Sequence, residues 1–88
     1  TEQDLKEAVL QEERFLSLEI ATEGPTAELA ELEVREIELV EGALIALVHR
    51  SGTVVIPRGR TRLEEGDRLT IVGEPNAIRE LRLRFTGD

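Results

Sequence analysis

The stretch Thr53–Gly73, TVVIPRGRTRLEEGDRLTIVG, limits what this chain can fold into more than any other part of it. Its two ends, Thr53–Ile56 and Arg68–Val72, carry the β-branched and apolar residues that suit a half-buried pleated surface, and read as strands. Pro57 stops the first, because proline has no N–H to give to a ladder. Gly59 is expected to let the chain bend where a side chain would clash. Leu63 is the only large apolar residue between Pro57 and Leu69, which marks it as an anchor tucked under the loop. Glu65-Gly66-Asp67 is turn chemistry: glycine gives a permissive backbone, and a short carboxylate bonds nearby amides. Gly59, Gly66 and Gly73 are spaced for turns.

The flanks complete a small sheet. Ala43–Val48, ALIALV, is an unbroken apolar run, as in strands covered on both faces. One layer of helices covers one face only, so another part of the chain or a second protomer is expected on the other. A homodimer is the expected assembly. Arg50-Ser51-Gly52 joins this strand to Thr53–Ile56 as a hairpin. Phe15–Ala21 alternates, with Leu16, Leu18 and Ile20 on one face, and reads as a half-buried strand. Thr22-Glu23-Gly24-Pro25 is a loop. Thr26 to about Ile37 is rich in Ala, Leu and Glu and leans towards helix, with Leu29, Leu32 and Ile37 towards the sheet. Glu74–Phe85 is the closing helix, with Pro75 at its first position and Ala77, Ile78, Leu81 and Phe85 on one face. Leu83 points away from that face. Thr1–Arg14 reads as a helical arm with a narrow stripe of Leu5, Ala8 and Val9. The expected organisation is therefore an arm or linker over 1–14 and one domain over 15–88. Its fold class is α/β (α+β), with a small, mainly antiparallel sheet of about four strands and helices packed on one side.

Composition narrows the function classes. At 88 residues, folding buries only about 60% of the unfolded chain's surface, so a second copy would add to a small core. The absence of cysteine excludes disulfides and thiolate metal sites. With no Trp or Tyr and two Phe, the stacking platforms used on single-stranded nucleic acid are missing. No apolar run approaches a membrane span. Net charge is −8, divided as −10 over residues 1–42 and +2 over 43–88. That balance argues against a cationic DNA-binding surface, so no nucleic-acid partner is expected.

No catalytic constellation is present, and the chain is not expected to be an enzyme. The one histidine, His49, has no evident partner and reads as a strand-end residue rather than a metal ligand. No Gly-rich phosphate loop of Walker or Rossmann type occurs. The one chemically suggestive cluster is Arg50, Arg58, Arg60 and Arg62. Beside the Gly59 amides it could hold an anion such as a nucleotide phosphate, the alternative being arginines paired with Glu64, Glu65 and Asp67. Arg50, Arg58, Gly59 and Arg60 are the candidate ligand contacts.

The pattern Pro57-Arg58-Gly59-x-Thr61-x-Leu63-x-x-Gly66-Asp67-Arg68-Leu69, followed by Val72-Gly73-Glu74-Pro75, resembles the TrkA-C domain. That domain is the C-terminal half of RCK regulators of potassium transport and an appendage of many prokaryotic transporters. Val34–Gly52 and Ala77-Ile78-x-x-Leu81 are similar to its flanking segments, so the resemblance spans about Phe15 to Phe85. Pro57, Thr61, Leu63, Gly66 and Asp67 carry its structural motif. Two registers exist over residues 26–42. One places Val34-Arg35-Glu36-Ile37 on the family's short helix, and is preferred because it needs no insertion. The other places Leu29-Ala30-Glu31-Leu32 there and sets Arg35 on an arginine that contacts phosphate in cyclic di-AMP-binding relatives. Leu44 stands where those relatives carry an asparagine that reads the ligand, which argues against cyclic di-AMP.

The resemblance implies a regulatory, ligand-sensing and dimerisation domain of a prokaryotic potassium or cation/proton transport protein. Its partner would be a membrane transporter or channel subunit, possible on the same full-length chain. It would be cytoplasmic, tethered to the inner face of the membrane through an upstream transporter. Two alternatives remain open. Val55-Ile56-Pro57 with Leu63-x-x-Gly66-Asp67-Arg68-Leu69 is also similar to AbrB-type swapped-hairpin DNA-binding regulators, and a ligand-free dimerisation scaffold would need no site.

Overall fold

The computed structural model describes residues 14–87. The arm expected over Thr1–Arg14 lies, apart from Arg14, outside the described residues. Four strands form one antiparallel sheet: β1 (Phe15–Glu19), β2 (Ala43–Arg50), β3 (Thr53–Val55) and β4 (Arg68–Gly73), in the spatial order β1-β4-β2-β3. One α-helix, α1 (Pro75–Thr86), and two 3-10 turns, Pro25–Leu29 and Val34–Glu36, accompany it. The expected α+β class and four-stranded sheet are both present.

Alternation decides which face is buried. Leu16 and Leu18 of β1, Leu69 and Ile71 of β4, and Ile45 and Val48 of β2 point to one side. There they meet Leu29, Leu63, Ile78, Leu81 and Phe85 in a single core. Ile45 and Val48 are three apart, so a regular strand would send them to opposite faces. The β2–β4 register slips between Ile45 and Leu47, and this bulge returns Val48 to the core. Part of the unbroken apolar run is thus a consequence of the bulge.

The other face is left open by the described residues. Its rows follow the register: Phe15–Val72–Leu44, then Ser17–Thr70–Leu47, then Glu19–Arg68–His49–Val54. Phe15, Leu44, Val54 and Ile56 are large hydrophobic residues left exposed, Leu44 by 56%. Leu83 is exposed on α1, as expected.

Thr26–Ile37 does not form the expected helix. After the first 3-10 turn Glu31 adopts a left-handed backbone, φ 72°, which interrupts any continuous helix. The segment's amides are used elsewhere. Glu31 N–H donates to Leu63 O, Leu63 N–H to Leu32 O, Val34 N–H to Thr61 O and Arg35 N–H to Gly59 O, all at 2.8–2.9 Å. Four tertiary hydrogen bonds outweigh a helix propensity of a few tenths of a kcal/mol per residue.

Glycine roles also shift. Gly66 has φ 90° and makes the turn expected of it. The hairpin turn takes Ser51 at φ 49° and Gly52 at φ 78°, the left-handed pair of a two-residue loop. Gly59 is not in the left-handed region, and an added Cβ would make only an ordinary 3.7 Å contact with the Arg35 Cβ. Gly73 is no turn residue but the end of β4, where a Cβ would fall 2.3 Å from the Gly42 carbonyl oxygen.

Candidate functional site

The central loop, 57–67, is held from both sides. Leu63 is fully buried as its anchor, and Asp67 is 1% exposed. Asp67 accepts from Arg50 Nε (2.9 Å) and Nη2 (2.8 Å), and its Oδ2 also accepts the Glu64 N–H at 2.9 Å. Arg50 Nη2 donates to Arg62 O as well, and Nη1 lies 2.7 Å from Glu64 Oε2. Burial pushes the Asp67 carboxyl up, but the Arg50 fork, the Glu64 amide and the adjacent positive charge together hold it below the usual carboxylate range. The same hydrogen bonds raise Arg50.

Every guanidinium nitrogen of Arg50 is therefore committed inside the fold. Expected among the ligand contacts, Arg50 is placed by the structure as the clamp of the loop. Thr61 does local work there too, its hydroxyl accepting the Arg58 N–H at 2.9 Å.

Arg58 and Arg60 are exposed, on either side of Gly59, and no hydrogen bond or ion pair among the described residues holds either guanidinium. Arg62 reaches back to the 31–35 segment, donating to Glu31 O and standing 3.9 Å from Glu33 Oε2. The backbone pairing brings Arg35 to the same place, packed against Gly59. The result is a patch of Arg35, Arg58, Arg60 and Arg62 around one glycine.

Val34, Ile37, Leu39, Ala43, Leu44 and Ile45 line a shallow groove of about 310 Å³ whose exposed surface is part polar backbone and part apolar side chain. Val34 lines the groove, and its chain neighbour Arg35 belongs to the patch. Reading residues 26–37 as a helix hid this arrangement. Arg35 reaches the patch through its backbone bond to Gly59, a pairing between segments distant in the sequence.

His49 is exposed at the end of β2, in a separate polar cleft of about 260 Å³ with Glu19, Ser51 and Arg68. Among the described residues no group of three or more metal-ligating side chains converges, and no helix is long and apolar enough to cross a membrane.

Residues 18–86 match the model of the TrkA-C domain. No curated protein sequence matches the chain. Among solved structures, one described as an RCK domain with cda superposes with a TM-score of 0.67 at 18% identity, covering 82% of this chain and 97% of that one. The RCK_C domain dimer of S. agalactiae BusR in complex with c-di-AMP gives 0.62 at 16% identity, covering 83% and 90%. S. agalactiae BusR in complex with its busAB-promotor DNA gives 0.62 at 16% identity, covering 97% of this chain and 49% of that one. At such identities the likeness is one of fold.

The last match corrects one expectation. Nucleic-acid partners were excluded on the acidic balance of residues 1–42, yet a protein containing this fold is bound to promoter DNA. Charge counted along this chain describes its own surface. The chain spans about half of that protein, and the contacts of the remainder are outside the count.

Proposed function

Because the chain belongs to the TrkA-C domain family, we propose that it is a regulatory, ligand-sensing and dimerisation domain whose ligand is a phosphate-bearing nucleotide. The observation that carries this reading is the arginine patch: Arg58 and Arg60, whose guanidinium groups no described residue holds, flank Gly59, and Arg35 packs against that glycine. The two matched structures described as complexes with cda and c-di-AMP support a nucleotide as the class of ligand. The exposed Phe15, Leu44 and Val54 on the open sheet face support a homodimer. Ligand binding then shifts the output by its difference in affinity between two arrangements of the dimer.

The output we favour is a cation-transport protein, with the domain at its cytoplasmic side. A second output, a DNA-binding unit, is favoured by the promoter-bound structure. Membrane fractionation and gel shift of the full-length gene product separate the two.

The ligand reading is tested by a thermal-shift panel of cyclic dinucleotides, adenine nucleotides and nicotinamide cofactors, with sulfate as ionic control. A ligand at 100 times its dissociation constant stabilises the folded state by roughly 2.7 kcal/mol. Arg58→Ala and Arg60→Ala are expected to reduce that shift. A shift surviving in both variants moves the site away from this loop, and no shift with any ligand overturns the reading.

A further inference from the structure

One carboxylate sits inside the arginine patch. Glu33 is mostly buried, its side chain only 18% exposed, while Arg35 and Arg62 on either side are 59% and 56% exposed. Arg35 Nε lies 2.8 Å from Glu33 Oε1 and Arg62 Nη2 lies 3.9 Å from Oε2. Oε1 nonetheless has no hydrogen bond of acceptable geometry among the described residues. The Glu33 N–H is capped by Glu36 Oε1 at 2.8 Å, and Glu33 pairs with Arg62 through an isolated antiparallel bridge. The backbone thus fixes this carboxylate where two guanidinium groups converge, without giving it a well-formed bond to either.

A fixed carboxylate between two arginines has the charge and position of a bound anion. A phosphate group offers more oxygens and more charge to the same donors, and guanidinium forks grip it through paired hydrogen bonds. We infer that Glu33 is a resident competitor at this site: it occupies Arg35 and Arg62 in the free domain, and an incoming phosphate must draw Arg35 away from it. The poor geometry at Oε1 makes that exchange easy, and the packing around Glu33 holds its side chain in position to oppose weak anions. Glu33 sets the threshold of the site and favours polyvalent phosphate over monovalent anions. This rests on the reading of the loop as an anion site.

The test compares the parent protein with Glu33→Gln, using inorganic pyrophosphate and chloride as probes. Binding is followed by calorimetry and by the NMR signal of the Arg35 Nε–H. Removing a like charge about 5 Å from a bound phosphate, at a dielectric near that of water, is worth about fourfold in affinity. Glu33→Gln is therefore expected to bind pyrophosphate about fourfold more tightly and to gain chloride binding. The Arg35 signal should move on substitution alone, and Arg35→Ala should erase the gain. Glu33→Ser, which keeps a capping residue ahead of the second 3-10 turn, is expected to repeat the result and guards against a folding defect in one variant. Equal affinity in parent and variants, or weaker binding in the variants, overturns the competitor role while leaving the anion site standing. No binding in any variant overturns both.

Discussion

Arg50 meets Asp67, 17 positions later in the chain, through two parallel hydrogen bonds of 2.9 and 2.8 Å. One partner closes the β2–β3 hairpin and the other opens β4, so the pair ties the hairpin to the end of the central loop. Asp67 is buried while the Arg50 side chain keeps 31% exposure. The carboxylate is therefore the member that cannot be left alone.

Arg50→Ala should destabilise the domain by about 3 to 5 kcal/mol, the usual cost of stranding one member of a buried pair. Urea unfolding measures it. Asp67 titrates below its ordinary value in the fold, so its contribution is complete above the unfolded value of about 3.9. It fades as pH falls through the lower folded value. Parent stability should drop on acidification through that range, and Asp67→Asn should flatten the drop.

Leu63→Ala should cost about 2 to 5 kcal/mol, because the side chain is wholly buried beneath the loop. Gly66→Val, at φ 90°, should cost more than about 1 kcal/mol in backbone strain. Unchanged melting of both variants would mean that the loop does not depend on them.

Gly73→Ala should also be damaging, although alanine is the smallest change available. A Cβ there would collide with the backbone of Gly42 and Ala43, at 2.3 and 2.8 Å. Forced separation of two strands is expected to cost about 1 to 3 kcal/mol, read from thermal or urea unfolding.

Much of this architecture was legible in the residues. The alternation of Leu16, Leu18 and Ile20, the hairpin at Ser51-Gly52 and the buried face of α1 all follow from local periodicity. Residues 26–37 did not yield to that reasoning, because their backbone bonds go to residues 59–63 and only the folded chain brings the two together. The arginines show the same division. Spacing groups Arg50, Arg58, Arg60 and Arg62, but it cannot tell a clamp from a ligand contact. Asp67 decides that for Arg50, and Arg35 enters only through tertiary pairing.

The open sheet face should show itself in mass. Light scattering coupled to size exclusion is expected to give about twice the 9.8 kDa chain mass at micromolar concentration. Leu44→Glu, which places a charge in the exposed Phe15–Val72–Leu44 row, should return the protein to monomer. A parent that stays monomeric at every accessible concentration would remove the dimer.

Leu44→Asn supplies the residue type that the family resemblance implies at this position in cyclic di-AMP-binding proteins. One added hydrogen bond is worth about 0.5 to 1.5 kcal/mol, so affinity for cyclic di-AMP should rise by up to about tenfold, measured by calorimetry. An unchanged or weaker affinity would place the ligand's base elsewhere in the groove.

The pairing of β1 with β4 also has a consequence for synthesis. Among the described residues β1 lies at the edge of the sheet and pairs with β4 alone, with Phe15 opposite Val72 and Glu19 opposite Arg68. On a ribosome the first strand emerges more than 50 residues before the one that receives it. The β2–β3 hairpin closes locally as soon as its turn is made, and β4 then joins it. Only after that can Leu16 and Leu18 leave water. Until then an apolar strand with unpaired backbone waits in the open, where another nascent copy can reach it. Codons and chaperones acting over 43–73 should therefore govern the yield of soluble domain more than those acting on the first strand itself.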